Sequence, residues 1–416
     1  MTEAADVHDA RRVRDAPEPL RAFNDAGVLA AADVHVALRL MALGAQDDPV
    51  VALAAALAVR GPRLGHVYVD LATIAEQATV DADEPVDLSA LPWPQAGDWT
   101  AALGRSALVA VGEDGDAPQR PLRLSGTRLY LDRYWREERR LAADLLAFAA
   151  HPAPGVRVEL LADGLRRLFA GAADEGQRVA AATATLRRLT VVAGGPGTGK
   201  TTTVARILVL LAEQAASAGA PAPLVALAAP TGKAAARLQE AVHAEAAALV
   251  TDEHVRAWLL GLDGSTLHRL LGWRPGSHSR FRHDRANRLA HDVVVVDETS
   301  MVSLSLMARL VEAVRPGARL ILVGDPGQLT SIEAGAVLGD IVGPAAAGPR
   351  VREPARRALE AALGGGGGGG DPRPPSPDAA IGDAIVVLDR SHRFGPGIAA
   401  LADAVRAGDA DAALAA

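Results

Sequence analysis

The chain changes texture three times along its length. Between residues 19 and 170 the apolar positions recur at helical spacing, in Ala/Leu-rich runs such as Val28–Leu43 and Leu141–Phe148. Two breaks interrupt them. One is a Pro/Trp-rich stretch, Leu91–Trp99, and the other, Leu108–Arg123, reads as a hairpin with Gly112 and Gly115 in its turn. From Ala180 to about Ile341 short β-branched runs alternate with helical patterns: Leu189–Ala193, Leu224–Ala228, Val293–Val296 and Leu320–Val323. Strands that are apolar on both faces and separated by helices predict a parallel sheet covered on both sides.

The remaining texture is poorer. Gly343–Asp383 is rich in Pro and Gly and holds seven consecutive glycines, Gly364–Gly370, a composition that predicts a mobile loop. A further strand-like run, Ala384–Leu388, and a helical segment, Gly397–Arg406, then read as the start of a second α/β lobe. The expected organisation is a disordered N-terminus (1–18), a mainly helical domain (19–170), an α/β lobe (171–342), the loop (343–383) and the beginning of another lobe (384–416).

Composition narrows the chemistry. The 416 residues are enough for two or three domains, and 49% hydrophobic residues is a globular proportion. With no cysteine, disulfides, thiolate metal sites and cysteine nucleophiles are excluded, and a reducing cytoplasm is the expected compartment. The N-terminus has no apolar core of the signal-peptide kind, and Val50–Val59 is too short to span a bilayer, so no membrane association is expected. The net charge of −7 argues against a generally basic coat for nucleic acid, though not against a local basic groove.

The sharpest signal is Gly194-Gly195-Pro196-Gly197-Thr198-Gly199-Lys200-Thr201, with Thr202 following. It fits the phosphate-binding pattern G-x-x-x-x-G-K-[ST], with a strand before it and a helix, Lys200–Leu211, after it. Glycines allow successive N–H groups to face phosphate oxygens, and the helix N-terminus adds its dipole. Lys200 would reach the β- and γ-phosphates of ATP, and the Thr201 hydroxyl would ligand Mg²⁺. Val293-Val294-Val295-Val296-Asp297-Glu298 is a strand ending in two acids. Asp297 would hold Mg²⁺ through water and Glu298 would orient or deprotonate the attacking water. A third strand, Leu320–Val323, runs into Gly324-Asp325-Pro326-Gly327-Gln328. Gln328 there could sense the γ-phosphate, although an ordinary Asp-Pro-Gly turn fits the local sequence better.

Further motifs follow in a fixed order. Ala229–Leu238, containing Pro230, Thr231 and Lys233, resembles motif Ia of superfamily one helicases. Ser265–Gly272, containing His268, is similar to motif Ib of their RecD branch. Val295–Val302, Gly324–Gly335 and Leu388–Phe394 resemble motifs II, III and IV, and Gly65–Leu71 and Leu129–Trp135 are similar to segments of the RecD leading domain. The resemblance implies a RecA-like P-loop motor lobe and ATP-driven 5′-to-3′ translocation on single-stranded DNA entered from a duplex end. It implies a heterotrimer with RecB and RecC, exodeoxyribonuclease V, in double-strand break repair, with the nuclease in RecB. It also implies that Gln177 reads adenine, that Arg393 stabilises the transition state with Lys200, Glu298 and Gln328, and that Pro230, Thr231, Lys233 and His268 face DNA. By itself Arg393 reads rather as a surface arginine at a helix start.

Arg274–Arg288, with Phe281 inside it and Trp273 before it, reads either as a single-strand contact or as a solvated loop. Family members continue through motifs V and VI, so this sequence is expected to be C-terminally incomplete. Two other readings stay open: a stand-alone RecD-like helicase, although no helix-hairpin-helix extension is found, or an ATP-binding assembly subunit with little hydrolysis.

Overall fold

The computed structural model describes residues 11–80, 87–113, 119–171, 175–249, 252–274, 276, 280–328, 334–335, 337–343, 351–364, 379–389 and 396–415. They fall into two compact units. The first comprises Met1–Arg140 with the short pieces Ser303–Ser305 and Ser331–Gly335, and the second comprises the rest.

The first unit runs α1 (Leu20–Asp25), α2 (Ala31–Leu43), α3 (Pro49–Arg63), β1 (Tyr68–Asp70), α4 (Ile74–Gln77), α5 (Ala96–Arg105), β2 (Val109–Val111), β3 (Leu122–Ser125), β4 (Arg128–Leu131) and the start of α6 (Asp132–Ala150). Its centre is α3. Asp48 caps this helix by accepting the Val50 N–H at 2.9 Å, and Pro49 occupies the first turn, where its missing N–H costs nothing. Every residue from Val51 to Ala58 is buried, as an apolar run without a polar stripe requires. Arg123, fully buried on β3, is neutralised by Asp132 at 3.1 Å, and its guanidinium lies 4.1 Å from the centre of the Trp135 ring.

The mainly helical character of this region holds, and two narrower expectations need correction. Helices predominate, but a four-stranded sheet of order β1-β4-β3-β2 accompanies them. Leu108–Arg123 is not a hairpin, because β2 and β3 pair in parallel. The hairpin is one step later, between β3 and β4, with Gly126 at positive φ in its turn. Residues 11–18 are ordered rather than disordered. The buried Asn24 amide donates to the Arg11 and Leu29 carbonyls and accepts the Val13 N–H, and Ala16 joins the core. Residues 1–10 lie outside the described residues.

The second unit continues with α7 (Val158–Leu168), α8 (Glu175–Leu186), β5 (Leu189–Gly194), α9 (Lys200–Ser217), β6 (Val225–Ala229), α10 (Gly232–Leu249), α11 (Glu253–Leu260), β7 (Gly264–Thr266), α12 (Leu267–Leu270) and β8 (Val293–Val296). It closes with α13 (Leu304–Ala313), β9 (Arg319–Gly324), α14 (Val337–Val342), α15 (Glu353–Leu363), α16 (Ala379–Gly382), β10 (Ile385–Leu388), α17 (Pro396–Ala407) and α18 (Ala410–Ala415). Six parallel strands form one sheet, ordered β10-β5-β9-β8-β6-β7. All four strands read from the sequence are present within a residue or two. The three-residue β7 carries no apolar run and escaped the pattern.

The unit boundary falls near residue 140, not 170. Leu161, Leu165 and Leu168 place α7 in the second core, and the Gln214 amide on α9 holds both the N–H and the carbonyl of Arg157 just before α7. The strand Ile385–Leu388 does not open another lobe either. It pairs with Val191–Gly194 as the edge strand of this same sheet. Nor is Gly343–Asp383 wholly a loop. Glu353–Leu363 forms α15, started by Pro354 in its first turn and ended by Gly364 at positive φ. The glycine run 365–370 lies outside the described residues. No helix among the described residues is long and apolar enough to cross a membrane.

A buried clasp fixes the edge strand. The Asp383 carboxylate, 1% exposed, pairs with Arg187 just ahead of β5 and with Arg352 at 2.8 Å, and it accepts the Arg352 N–H at 2.7 Å. Asp383→Ala leaves Arg187 buried without its counter-charge and is expected to cost about 3–5 kcal/mol in chemical denaturation. Glu353→Ala, on exposed ion pairs that water and salt screen, is expected to leave the same denaturation curve unchanged.

Candidate nucleotide and DNA site

Parallel strands deliver all their carboxyl ends to one edge of the sheet, where open α/β sheets bind ligands. Along that edge, in strand order, lie Leu388-Asp389 after β10, the phosphate loop after β5, Asp325–Gln328 after β9, Asp297-Glu298 after β8, Pro230-Thr231 after β6, and Leu267-His268 after β7. The order along the edge is therefore IV, I, III, II, Ia, Ib. The four motifs expected to serve the nucleotide are neighbours, and the two strands whose motifs are expected to face DNA follow them.

The phosphate loop leads directly into α9. Gly199 caps that helix at φ +79°, a left-handed conformation that costs glycine little. A side chain at Gly194 would meet the Leu388 carbonyl at 2.7 Å, so strand β10 requires glycine there. The Lys200 ammonium donates to the Gly194 carbonyl at 2.7 Å and to the Gly195 carbonyl at 2.9 Å. Burial lowers the Lys200 pKa, and Asp325, Asp297 and Glu298 oppose that. Asp325 is thus a member of the charged cluster that sequence reading left unassigned, although it sits in the quoted motif.

Asp297 is buried, and its burial pushes its pKa up to about 6. Glu298 alongside adds to the rise, while the Glu298 N–H, Lys200 and the Thr201 hydroxyl work against it. The Glu298 N–H donates to Asp297 at 2.8 Å. Glu298 itself has φ +53°, an uncommon state for a non-glycine residue. The next residue, Thr299, is wholly buried, and its hydroxyl donates to the Val323 carbonyl of β9 at 2.8 Å. That bond ties motif II to the strand of motif III, and no pattern in the sequence announces it.

One ammonium faces three carboxylates in this cluster. The excess negative charge and the hard oxygen donors of Thr201 and Asp297 suit Mg²⁺, which takes few protein ligands and fills the others from phosphates and water. Gln177 is buried, and its amide donates to the Thr198 carbonyl at 3.1 Å. Gln328 lies exposed in a turn, with its N–H donating to the Asp325 carbonyl at 3.1 Å, and is not drawn into the cluster. Arg393 lies outside the described residues.

At the other end of the edge, Thr231 begins α10 by accepting the Ala234 N–H at 3.2 Å, and Lys233 is exposed beside it. Pro230 is half-buried. His268 is exposed, with its ring centre 5.9 Å from that of Phe281. Of the arginines between 274 and 288, Arg285 is engaged by Asp144 at 2.5 Å and Arg288 by the Val314 carbonyl at 2.6 Å. Arg274, Arg280 and Phe281 border a cavity of about 290 Å³.

A family model described as the N-terminal domain of RecBCD enzyme subunit RecD matches residues 25–130, and an AAA domain model matches 177–334. The chain is 53% identical over 396 residues to the RecBCD enzyme subunit RecD of Mycolicibacterium smegmatis, covering 95% of this chain and 61% of that protein. It is 54% identical over 398 residues to the RecD subunit of Mycobacterium tuberculosis, covering 95% and 59%. The chain belongs to the RecD family. It spans about three fifths of the length of these RecD relatives. The ATP-dependent RecD2 DNA helicase of Deinococcus radiodurans is 34% identical over 301 residues, covering 70% of this chain and 36% of that one.

The raised Asp297 pKa sets a pH dependence. Without nucleotide or metal the fold favours the protonated acid, so stability falls as pH rises from about 4 to about 6 and the penalty is constant above that. Asp297→Asn should therefore be more stable than the parent at pH 8, by about 2–3 kcal/mol, and equal to it near pH 4. Denaturation curves at both pH values test this; a stability gap independent of pH would contradict it.

Proposed function

We propose that this chain is the ATP-binding lobe of a DNA-translocating motor, acting as the RecD-type subunit beside RecB- and RecC-type partners in double-strand break processing. The reading rests on one observation above all. A single sheet edge carries the Lys200 loop, the Asp297-Glu298 pair and the motif III turn together, with the motif Ia and Ib residues on adjoining strands. Across a sheet, three strand steps of about 4.8 Å separate the phosphate loop on β5 from Pro230-Thr231 after β6, roughly 14 Å. Nucleotide and DNA can thus bind side by side and sense each other through β8 and β9.

In this reading Lys200 and the N–H groups of Gly194–Thr202 hold the triphosphate. Thr201 and Asp297 hold Mg²⁺, which when bound neutralises charge on the transferring phosphoryl group. Glu298 takes a proton from the attacking water, and its pre-set backbone aims the carboxylate. Gln328 and Arg393 complete the site when DNA and nucleotide are both present. Pro230, Thr231, Lys233 and His268 track a single strand in the 5′-to-3′ direction through its phosphates, contacts that carry no base code. The absence of cysteine suits a cytoplasmic setting.

ATP hydrolysis by the purified chain, with and without single-stranded DNA, tests the motor. Turnover that rises with DNA and drops to background in Lys200→Ala is the expected result. Lys200→Ala should still co-purify with the RecB- and RecC-type subunits. Mg²⁺-dependent ATP binding with no turnover would favour an assembly subunit, and no ATP binding would overturn both.

A further inference from the structure

The start of α10 and the turn after β7 carry the residues given above to DNA, and a polar seam joins them. Strand β7 ends the sheet, is three residues long, and has Gly264, Ser265 and Thr266 all half-buried. These residues carry little apolar surface, so hydrophobic burial contributes little to holding the strand. Helix α10 holds it by other means. The Gln239 side-chain carbonyl accepts the Gly264 N–H at 2.9 Å, and the Gln239 amide donates to Asp263 at a longer 3.4 Å. One turn further along the helix, the His243 ring donates from Nε2 to the Leu262 carbonyl at 3.0 Å. One turn back, helix and strand touch directly: a Cβ on Gly264 would lie 2.4 Å from the Ala235 carbonyl oxygen.

Ala235, Gln239 and His243 are spaced four apart and share one face of α10. The seam they form against residues 262–264 leads at each end to a DNA-facing segment. Thr231 starts α10 by accepting the Ala234 N–H at 3.2 Å, with Lys233 in the first turn. Thr266 ends β7 and starts α12 by accepting the Arg269 N–H at 3.2 Å, with His268 in that turn. Two contacts on one flexible strand reinforce each other only when their spacing is fixed beforehand, because otherwise ordering costs offset the second contact.

We propose that Gln239 is a positioning residue for single-stranded DNA. By holding Gly264 against α10 it fixes the spacing between Thr231 and Lys233 on one side and His268 on the other, so that one strand meets both together. This rests on the reading of those residues as phosphate contacts and extends it.

The test follows binding of a dye-labelled oligothymidylate to the purified chain by fluorescence anisotropy over a range of salt, with MgATP binding measured beside it. The parent is compared with Gln239→Met, which keeps the shape and removes the acceptor. A double variant, Gln239→Glu with Asp263→Asn, exchanges carboxylate and amide and keeps an acceptor for the Gly264 N–H. Gln239→Met is expected to weaken the oligonucleotide about three- to tenfold, the range of one net hydrogen bond. The slope of log affinity against log salt should shrink by about 0.7, the loss of one phosphate contact on a single strand. MgATP affinity should stay as in the parent, and the double variant should regain both affinity and slope. A bond that served folding alone would lower stability and leave the slope untouched, so an unchanged slope overturns the proposal. A double variant that fails to recover overturns it too. Hydrogen exchange in the parent needs no variant to fold: the oligonucleotide should slow exchange at the Gly264 amide, because a ligand that binds the closed seam must in turn favour closure. Unaltered exchange there would count against the role. A parent that binds no oligonucleotide would remove the DNA reading itself, a failure distinct from these.

Discussion

The constraint on which everything else depends is that a parallel sheet has one carboxyl edge. Strands joined by helical crossovers must all run the same way, so each strand-to-helix loop emerges on the same side. Here six such loops become neighbours, although residues 194 and 388 lie far apart in sequence. The site is not assembled by the motifs seeking one another. Backbone pairing between buried β-branched strands assembles it, and the motifs are what those strands end in. The fully buried β5 and β8 therefore position chemistry that none of their own side chains performs.

Around that edge the charges are deliberately unbalanced. Three carboxylates surround one ammonium, and burial raises the cost of each uncompensated charge. Lys200 donates to the loop carbonyls, and burial pushes the Asp297 carboxyl toward its neutral form. Glu298 stays in a backbone state that few side chains adopt, locked by the Asp297 acceptor on one side and the buried Thr299 bond on the other. Such unmet requirements are typical of sites that are completed by ligands.

Much of this was legible because the signals were local. The phosphate loop needs glycine at fixed places, and Val293–Val296 could hardly be anything but a buried strand. The errors came where the deciding interaction was distant. Ile385–Leu388 announces a strand but not its partner, and the intervening Gly/Pro-rich stretch suggested a new lobe. The pairing with Val191–Gly194 and the Asp383 clasp, which joins residues 196 positions apart, say otherwise. The parallel pairing of β2 with β3 was hidden for a similar reason: two short apolar runs around glycines look like a hairpin whichever way they pair. Helix α15 was missed because its glycine-rich neighbours diluted its own alternation of Arg, Glu and Ala. Gln177 could be located only by resemblance, since nothing around it in sequence indicates that the phosphate loop lies on top of it.

The late arrival of β10 bears on how the chain is made. Synthesis is directional, and β5 leaves the ribosome long before its neighbour at the sheet edge exists. During that interval β5 offers an open row of backbone donors and acceptors beside a glycine-rich turn, the kind of edge that pairs with the wrong strand. Asp383 and β10 close it only after the residues from 195 to 382 have been made. The nascent chain is thus exposed to mispairing at the strand that carries its nucleotide loop, and a chaperone or an early-bound nucleotide would have most effect there.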